Sequence, residues 1–452
     1  MKTNQAYLDY YRCPQKFADF TSAGALSSDT GYFLFGTDAV CYGRSTCGFR
    51  APRPTGTLFD TFDEVQLEGT TCCLPFDPTE AIDNLRYERY VAHLQNGTRL
   101  APNRSVKQAY YLVRPLMPVW MRKHFQRIHL SDWSQIHFPH WPVDRTVERI
   151  LEKLLMLSLR AHNADKIPFI WFWPNGAPSC AIITHDVETS AGRDFCPSLM
   201  DLDDSYAVKA SFQIVPEKRY RFSEDLLDKI RARGFEIVVQ DLNHDGHLFS
   251  SREQFLARAK QINEYAQQYR AAGFRSAILY RNQDWYDALQ FSYDMSVPNA
   301  AHLEPQRGGC CTVMPYFVNH ILELPVTTTQ DYSLFHIIGD YSIEVWKSQI
   351  DLITEKHGLV SFIIHPDYII ERRARKTYRE LLAYLSQLRS EKRIWIALPR
   401  EVNDWWRERS QMKLVEEKGR WRIEGSGKER ASVAYARLQG DRIIYSHEEQ
   451  QG

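Results

Sequence analysis

The sequence predicts an α/β protein built on a distorted barrel of about seven parallel strands, with a mixed α+β region before it and a small β appendage after it. Three observations carry this prediction. Apolar runs of strand length recur at 181–184, 210–215, 235–239, 276–280, 321–326, 360–364 and 394–398. Amphipathic helical segments with their own start and stop residues lie between them, and that alternation means parallel pairing through right-handed crossovers. About seven strands in roughly 230 residues fit a closed barrel better than an open sheet.

The elements follow in order. Residues 1–165 form the first part. Short β-like runs such as 31–35 are broken by the turn-rich stretch 50–56, and helical periodicity appears at 147–157. The basic, aromatic stretch 114–123 reads as a short connecting helix. Residues 166–400 carry the strand–helix alternation. One helix starts at Ser223, has Glu224 and Asp225 in its first turn and stops at Gly234. The next opens with a capping box from Ser251 to Gln254 and ends at Gly273, and a third spans 343–357 with Gly358 as its stop. Residues 401–452 change character. Trp421 to Ile423, Ala431 to Ala436 and Ile443 to Tyr445 are separated by glycine turns, the pattern of a small hairpin or meander.

Composition excludes several functions. Of 452 residues, 44% are hydrophobic and 25% charged, with 56 acidic and 56 basic side chains. This is a folded globular chain with no net field to attract nucleic acid or anionic lipid. The polar N-terminus lacks the apolar core of a signal peptide, and the apolar stretch 167–173 is far short of a membrane span. Nine cysteines without a CxxC spacing read as reduced thiols of a cytoplasmic protein, which makes the sequons at Asn96 and Asn103 chance matches.

Chemistry gathers at the strand ends. Asp186 and Glu188 leave the run 181–184 two residues apart, so in extended backbone both carboxylates enter one cavity, where one can bind a divalent cation and the other can take a proton from water. The knot Gln240-Asp241-Leu242-Asn243-His244-Asp245-Gly246-His247 puts two imidazoles three apart in a loop leaving an apolar strand, and neutral imidazole suits zinc and related metals. Arg275 stands at the start of the fourth run, placed to orient a carboxylate base. His365 closes 360–364 with Asp367 two residues on, placed as a general acid.

These four pieces, in this order, resemble the polysaccharide deacetylase family, the NodB-homology domains of carbohydrate esterase family 4, over about residues 175–400. Thr184-His185-Asp186-Val187-Glu188 answers the family's TFDDG, with Asp186 where the base stands and Glu188 where divergent D-x-E relatives have the metal-binding acid. Gln240 and His244 fall on H-S/T-x-x-H, with glutamine in place of the first histidine. Arg275-Ser276-Ala277 answers R-x-P without its proline, and Ile363-Ile364-His365 answers Leu-x-His.

The resemblance implies a (β/α)7 barrel of NodB-homology type that removes N-acetyl groups from an amino sugar, with Asp186 as base, His365 as acid and Arg275 as the base's partner. It implies a divalent metal, zinc before cobalt or nickel. With Gln240 a poor zinc ligand, the expected set is Glu188, His244 and His247, the Asp-Gly turn folding His247 back toward His244. Expected partners are a carbohydrate or amino-sugar substrate and exopolysaccharide biosynthesis proteins. Two other functions stay open: hydrolysis of a different C–N bond, as in allantoinase-like relatives, and a non-catalytic glycan-binding or scaffolding barrel.

Overall fold

The structure, a computed structural model, describes residues 4–48, 51–91 and 130–447. The stretch 114–123 and the sequons at Asn96 and Asn103 lie outside the described residues.

The N-terminal part is mixed. Strands β1 (Phe20–Ser22), β2 (Gly31–Leu34), β3 (Val40–Gly43), β4 (Gln66–Glu68) and β5 (Thr71–Leu74) make a three-stranded sheet, β1-β5-β4, and a β2–β3 hairpin. Helices Gln5–Tyr11, Pro78–Arg86 and Thr146–Ala161 pack with them. The second begins where Asp77 accepts from the backbone amides of Thr79 and Glu80, and Pro78 gives up only a donor that has no helical partner. Strand β6 (Ile167–Ile170) follows the third helix.

The central sheet comprises β7 (Cys180–Val187), β8 (Ser211–Ile214), β9 (Glu236–Gln240), β10 (Gly273–Arg275), β11 (Tyr293–Asp294), β12 (Tyr316–Val318), β13 (Ile321–Glu323), β14 (Leu359–Ile364) and β15 (Trp395–Ile396). Its order is β12-β13-β11-β10-β9-β8-β7-β14, with β15 beside the first residues of β7, and every pairing is parallel except β12 with β13. All eight residues of β7 are buried, as expected of a strand covered on both faces. Helices Ser190–Ser205, Glu224–Ala232, Arg252–Gln268, Glu344–Thr354 and Arg372–Ser390 connect the strands. Ile183, Phe212, Val239 and Phe274 share an apolar cluster with Leu227, Phe255, Ile350 and Leu381 of those helices.

The wall closes in an unusual way. Between β13 and β14 the contact is made by threonines rather than by a strand ladder. Thr327 Oγ1 donates to Leu359 O (2.7 Å) and accepts from Ser361 N (2.9 Å), while Thr328 reaches Ser361 O through its hydroxyl (2.8 Å) and its amide (3.3 Å). The result is a curled, barrel-like sheet of nine strands, where seven were expected.

Three expectations change. Residues 276–280 are not a strand: β10 ends at Arg275, and Ala277–Leu279 makes a turn of 3-10 helix with Ile278 at φ 59° and Leu279 at φ 53°. Such a backbone is costly for a β-branched residue, and tertiary contacts hold it. Arg281 Nη1 donates to Leu279 O (2.8 Å), and the same guanidinium is fully buried against Glu88 of the N-terminal part, with Nε 2.6 Å from Oε2. The run 394–398 supplies only the two-residue β15. Neither Gly358 nor Gly273 stops its helix: His357 takes the left-handed position at φ 57° and a Cβ at 358 would lie 2.6 Å from Val313, while the earlier helix ends at Gln268 with Arg270 at φ 47° and Gly273 opens β10. Ser223 and Ser251 cap their helices as expected, accepting from the amides of Leu226 and Gln254.

Beyond the sheet, helix Pro399–Gln411 crosses the strand-start end, where the Arg400 amide donates to Glu236 and Arg407 to the carbonyls of Ser292 and His320. Two hairpins follow, β16 (Lys413–Glu417) with β17 (Arg420–Glu424), and β18 (Val433–Gln439) with β19 (Arg442–His447). Strand β18 also pairs with β6, so the C-terminal strands are stitched to the segment that enters the barrel. No helix among the described residues is long and apolar enough to cross a membrane.

Candidate active site

The site lies inside the barrel, where β7, β9, β10 and β14 end. Register puts the residues there. Arg275 stands opposite Gln240 in the β10–β9 ladder, and His185 opposite Ile364 in the β7–β14 ladder, which brings Asp186 and His365 to neighbouring strand ends. Alternation then decides direction. His185 faces the helices, where its Nε2 is 2.9 Å from Asp203 and the Tyr378 hydroxyl donates to the same carboxylate (2.7 Å). Asp186 therefore faces inward.

Arg275, fully buried, donates from Nη1 to Asp186 Oδ1 at 3.0 Å. Burial pushes the Asp186 carboxyl up, and Arg275 opposes that shift. The Gln240 amide nitrogen bridges the two acids, 3.2 Å from Asp186 Oδ2 and 3.3 Å from Glu188 Oε1. Glu188 Oε1 also lies 2.7 Å from His244 Nε2 and 3.5 Å from His365 Nε2. Burial alone would raise Glu188, but the two imidazoles outweigh it and hold the carboxyl well below the usual carboxylate range. His365 is gripped by Asp331, with Nδ1 2.6 Å from Oδ1 and the backbone amide 2.7 Å from Oδ2. Burial disfavours its charge, yet Asp331 and Glu188 raise its pKa well above 6.5.

Oxygens of Asp186 and Glu188 and a ring nitrogen of His365 lie within 4.8 Å of one another, close enough to share a cation. Four buried polar atoms of the residues beside them have no hydrogen-bond partner: Gln240 Oε1, His244 Nε2 and the Nε and Nη2 of Arg275. His244 Nε2, though close to Glu188, is badly angled for a hydrogen bond. Two carboxylates with the bare Gln240 oxygen beside them fit a divalent cation.

Of the residues singled out from sequence, Asp186, Glu188, His244, Arg275 and His365 come together. His247 does not. Asp245, clamped by both Arg258 nitrogens (2.7 and 2.8 Å), accepts the His247 amide (2.9 Å) and fixes the turn, with Gly246 at φ 77°. That turn leaves His247 exposed, its Nδ1 3.4 Å from the Ser250 hydroxyl. The expected set of Glu188, His244 and His247 is corrected accordingly. The acid behind His365 is Asp331 rather than Asp367; it sits five residues past Val326 in a polar run that carried no signal of its partner. Arg219, which donates to His244 Nδ1 (3.1 Å) and His244 O (2.8 Å), was also hidden, in the charged run after β8.

No protein-family model matches the chain, and no curated protein matches it. Solved structures similar to it include a protein from Mycobacterium smegmatis described as a polysaccharide deacetylase (16% identity, 53% of this chain and 93% of that one, TM-score 0.43). Others are the Puue allantoinase (13% identity, 52% and 92%, TM-score 0.42) and the peptidoglycan deacetylase PdaC from Bacillus subtilis (11% identity, 50% and 90%, TM-score 0.32).

Proposed function

We propose that this protein is a hydrolase of an amide C–N bond and that it removes the N-acetyl group from an amino sugar. The observation that carries the reading is the opposition, across Glu188, of a buried acid clamped by Arg275 and an imidazole clamped by Asp331. One group accepts a proton and the other supplies one, which amide hydrolysis requires. The resemblance of the four motifs to polysaccharide deacetylases supplies the substrate class.

Asp186 takes the proton of the attacking water, and Arg275 keeps its carboxylate ionised and aimed. His365, protonated beside Asp331, gives its proton to the departing amine, without which the tetrahedral adduct would expel water instead. Asp186 and Glu188 would hold a divalent cation, which supplies Lewis-acid charge for the acyl oxygen and the water.

Acetate release from N-acetylglucosamine oligomers, with manganese, cobalt or zinc added, tests the reading. The intact protein should release acetate, and Asp186→Asn and His365→Ala should each lose at least about 10²-fold. Release that survives Asp186→Asn overturns the mechanism, and no release with any metal overturns the activity. The latter outcome would favour a glycan-binding barrel.

A further inference from the structure

We infer that Gln240 supplies an oxygen ligand to the cation and that His244 supplies none, so the site takes a hard divalent cation of the manganese–magnesium class. The inference rests on the cation that the proposed reaction uses, and it concerns which atoms hold it.

The case against His244 comes from its far side. The Arg219 guanidinium, which is always protonated and can only donate, lies 3.1 Å from His244 Nδ1. Nδ1 must therefore present a lone pair, and a neutral imidazole with its lone pair there carries its hydrogen on Nε2. That is the nitrogen facing Glu188 at 2.7 Å. An Nε2–H cannot ligate. A metal-binding histidine ordinarily donates its second nitrogen to a carboxylate or carbonyl, and a guanidinium at that position is the reverse arrangement. Arg219 is tethered to the His244 carbonyl as well (2.8 Å), so it stays with the ring.

The case for Gln240 comes from its orphaned atom. The side chain is 1% exposed and reaches between the two carboxylates, with its nitrogen on both and its Oε1 without a partner. A half-turn of the amide exchanges the two ends. With a cation between Asp186 and Glu188, the oxygen replaces the nitrogen facing them, and the bare carbonyl gains a partner. Two carboxylates and an amide oxygen are hard donors, suited to magnesium, calcium and manganese rather than to zinc.

Manganese binding to the metal-stripped full chain, followed by the loss of the free-ion EPR signal, tests this without any assay of activity. The intact protein should bind one Mn²⁺ per chain. His244→Asn, which removes the ring nitrogen that faces Glu188, should bind within about threefold of it, whereas Gln240→Ala should bind at least about tenfold more weakly. Gln240→His should raise the preference for Zn²⁺ over Mn²⁺ at least about tenfold. Should Gln240→Ala not fold, Gln240→Glu carries the test and should bind Mn²⁺ more tightly than the intact chain. No Mn²⁺ binding, loss of binding in His244→Asn, or indifference to every change at 240 overturns the inference. Tight Mn²⁺ binding without acetate release would sink the proposed reaction and leave the ligand assignment standing.

Discussion

Asp331 holds His365 at two points, one carboxylate oxygen on the ring and the other on the backbone amide of the same residue. The double contact fixes both the tilt of the ring and the end of the strand that carries it. The charge beside the ring also keeps a proton on it. In Asp331→Asn the charge goes, and with it one of the two accepting oxygens, so His365 should lose its proton at lower pH. The alkaline limb of the pH profile of kcat/KM should move to lower pH, and activity should fall by about 10²-fold. An unmoved limb would remove His365 from the acid role.

Arg275 acts in the opposite sense on Asp186. Burial already raises that carboxyl, and the guanidinium is the first force against it. Arg275→Met should push the carboxyl further up, so the acid limb of the profile should move to higher pH. On that limb, activity becomes about tenfold poorer for each pKa unit that the carboxyl rises. Arg275→Lys, which restores the charge without the fork, should recover part of it. Profiles that coincide would deny the pairing a role in ionisation.

The Glu88–Arg281 pair joins the N-terminal part to the barrel in a buried setting. Removing one partner leaves a bare charge in the interior, so Glu88→Ala should cost about 3–5 kcal/mol in denaturant unfolding. Replacing both, as Glu88→Leu with Arg281→Met, should recover most of that loss. If the double change is no better than the single, the charge itself is not the cause.

Glu236 gives the stability a pH dependence unrelated to the site. Burial at the foot of β9 pushes its carboxyl from 4.5 up to about 7, so the folded chain keeps a proton that the unfolded chain releases. Its contribution is complete below about pH 4.5 and is lost as pH rises through about 7, a total of about 3 kcal/mol. Urea unfolding at pH 5 and pH 8 should show that loss in the intact protein and less of it in Glu236→Gln. The amide can still meet the Tyr293 hydroxyl and the Arg400 amide that Glu236 engages. Parallel slopes for the two proteins would place the raised proton affinity elsewhere.

What was legible in the chain was whatever local pattern controls. The runs at 181–184, 210–215, 235–239 and 360–364 became β7, β8, β9 and β14, and because strand ends collect polar side chains, Asp186, Glu188, His244 and His365 could be placed before any fold was known. What was not legible depends on distant contacts. The two-residue β11 is too short to show a period. Residues 276–280 have strand composition, but Glu88, nearly two hundred positions earlier, draws Arg281 into a turn. Asp331 reaches His365 across 34 positions with no spacing rule to announce it. His247 was misplaced because the fate of the Asp-Gly turn is decided by Arg258, on the following helix.

The threonine contact between β13 and β14 gives the wall a place where it can breathe. Elsewhere, parting two strands breaks a run of backbone bonds at once, whereas here most of the grip on Thr327 and Thr328 belongs to two hydroxyls, with one amide-to-carbonyl bond beside them and a second from Leu359 to Val313. Local fluctuations favour the contact with the fewest cooperative bonds, so amide exchange at Thr328 and Ser361 should outpace that of Ile182 and Phe362 in the β7–β14 ladder. Asp331 lies three residues beyond this hinge line, which makes the imidazole's anchor sensitive to how often the barrel opens its side.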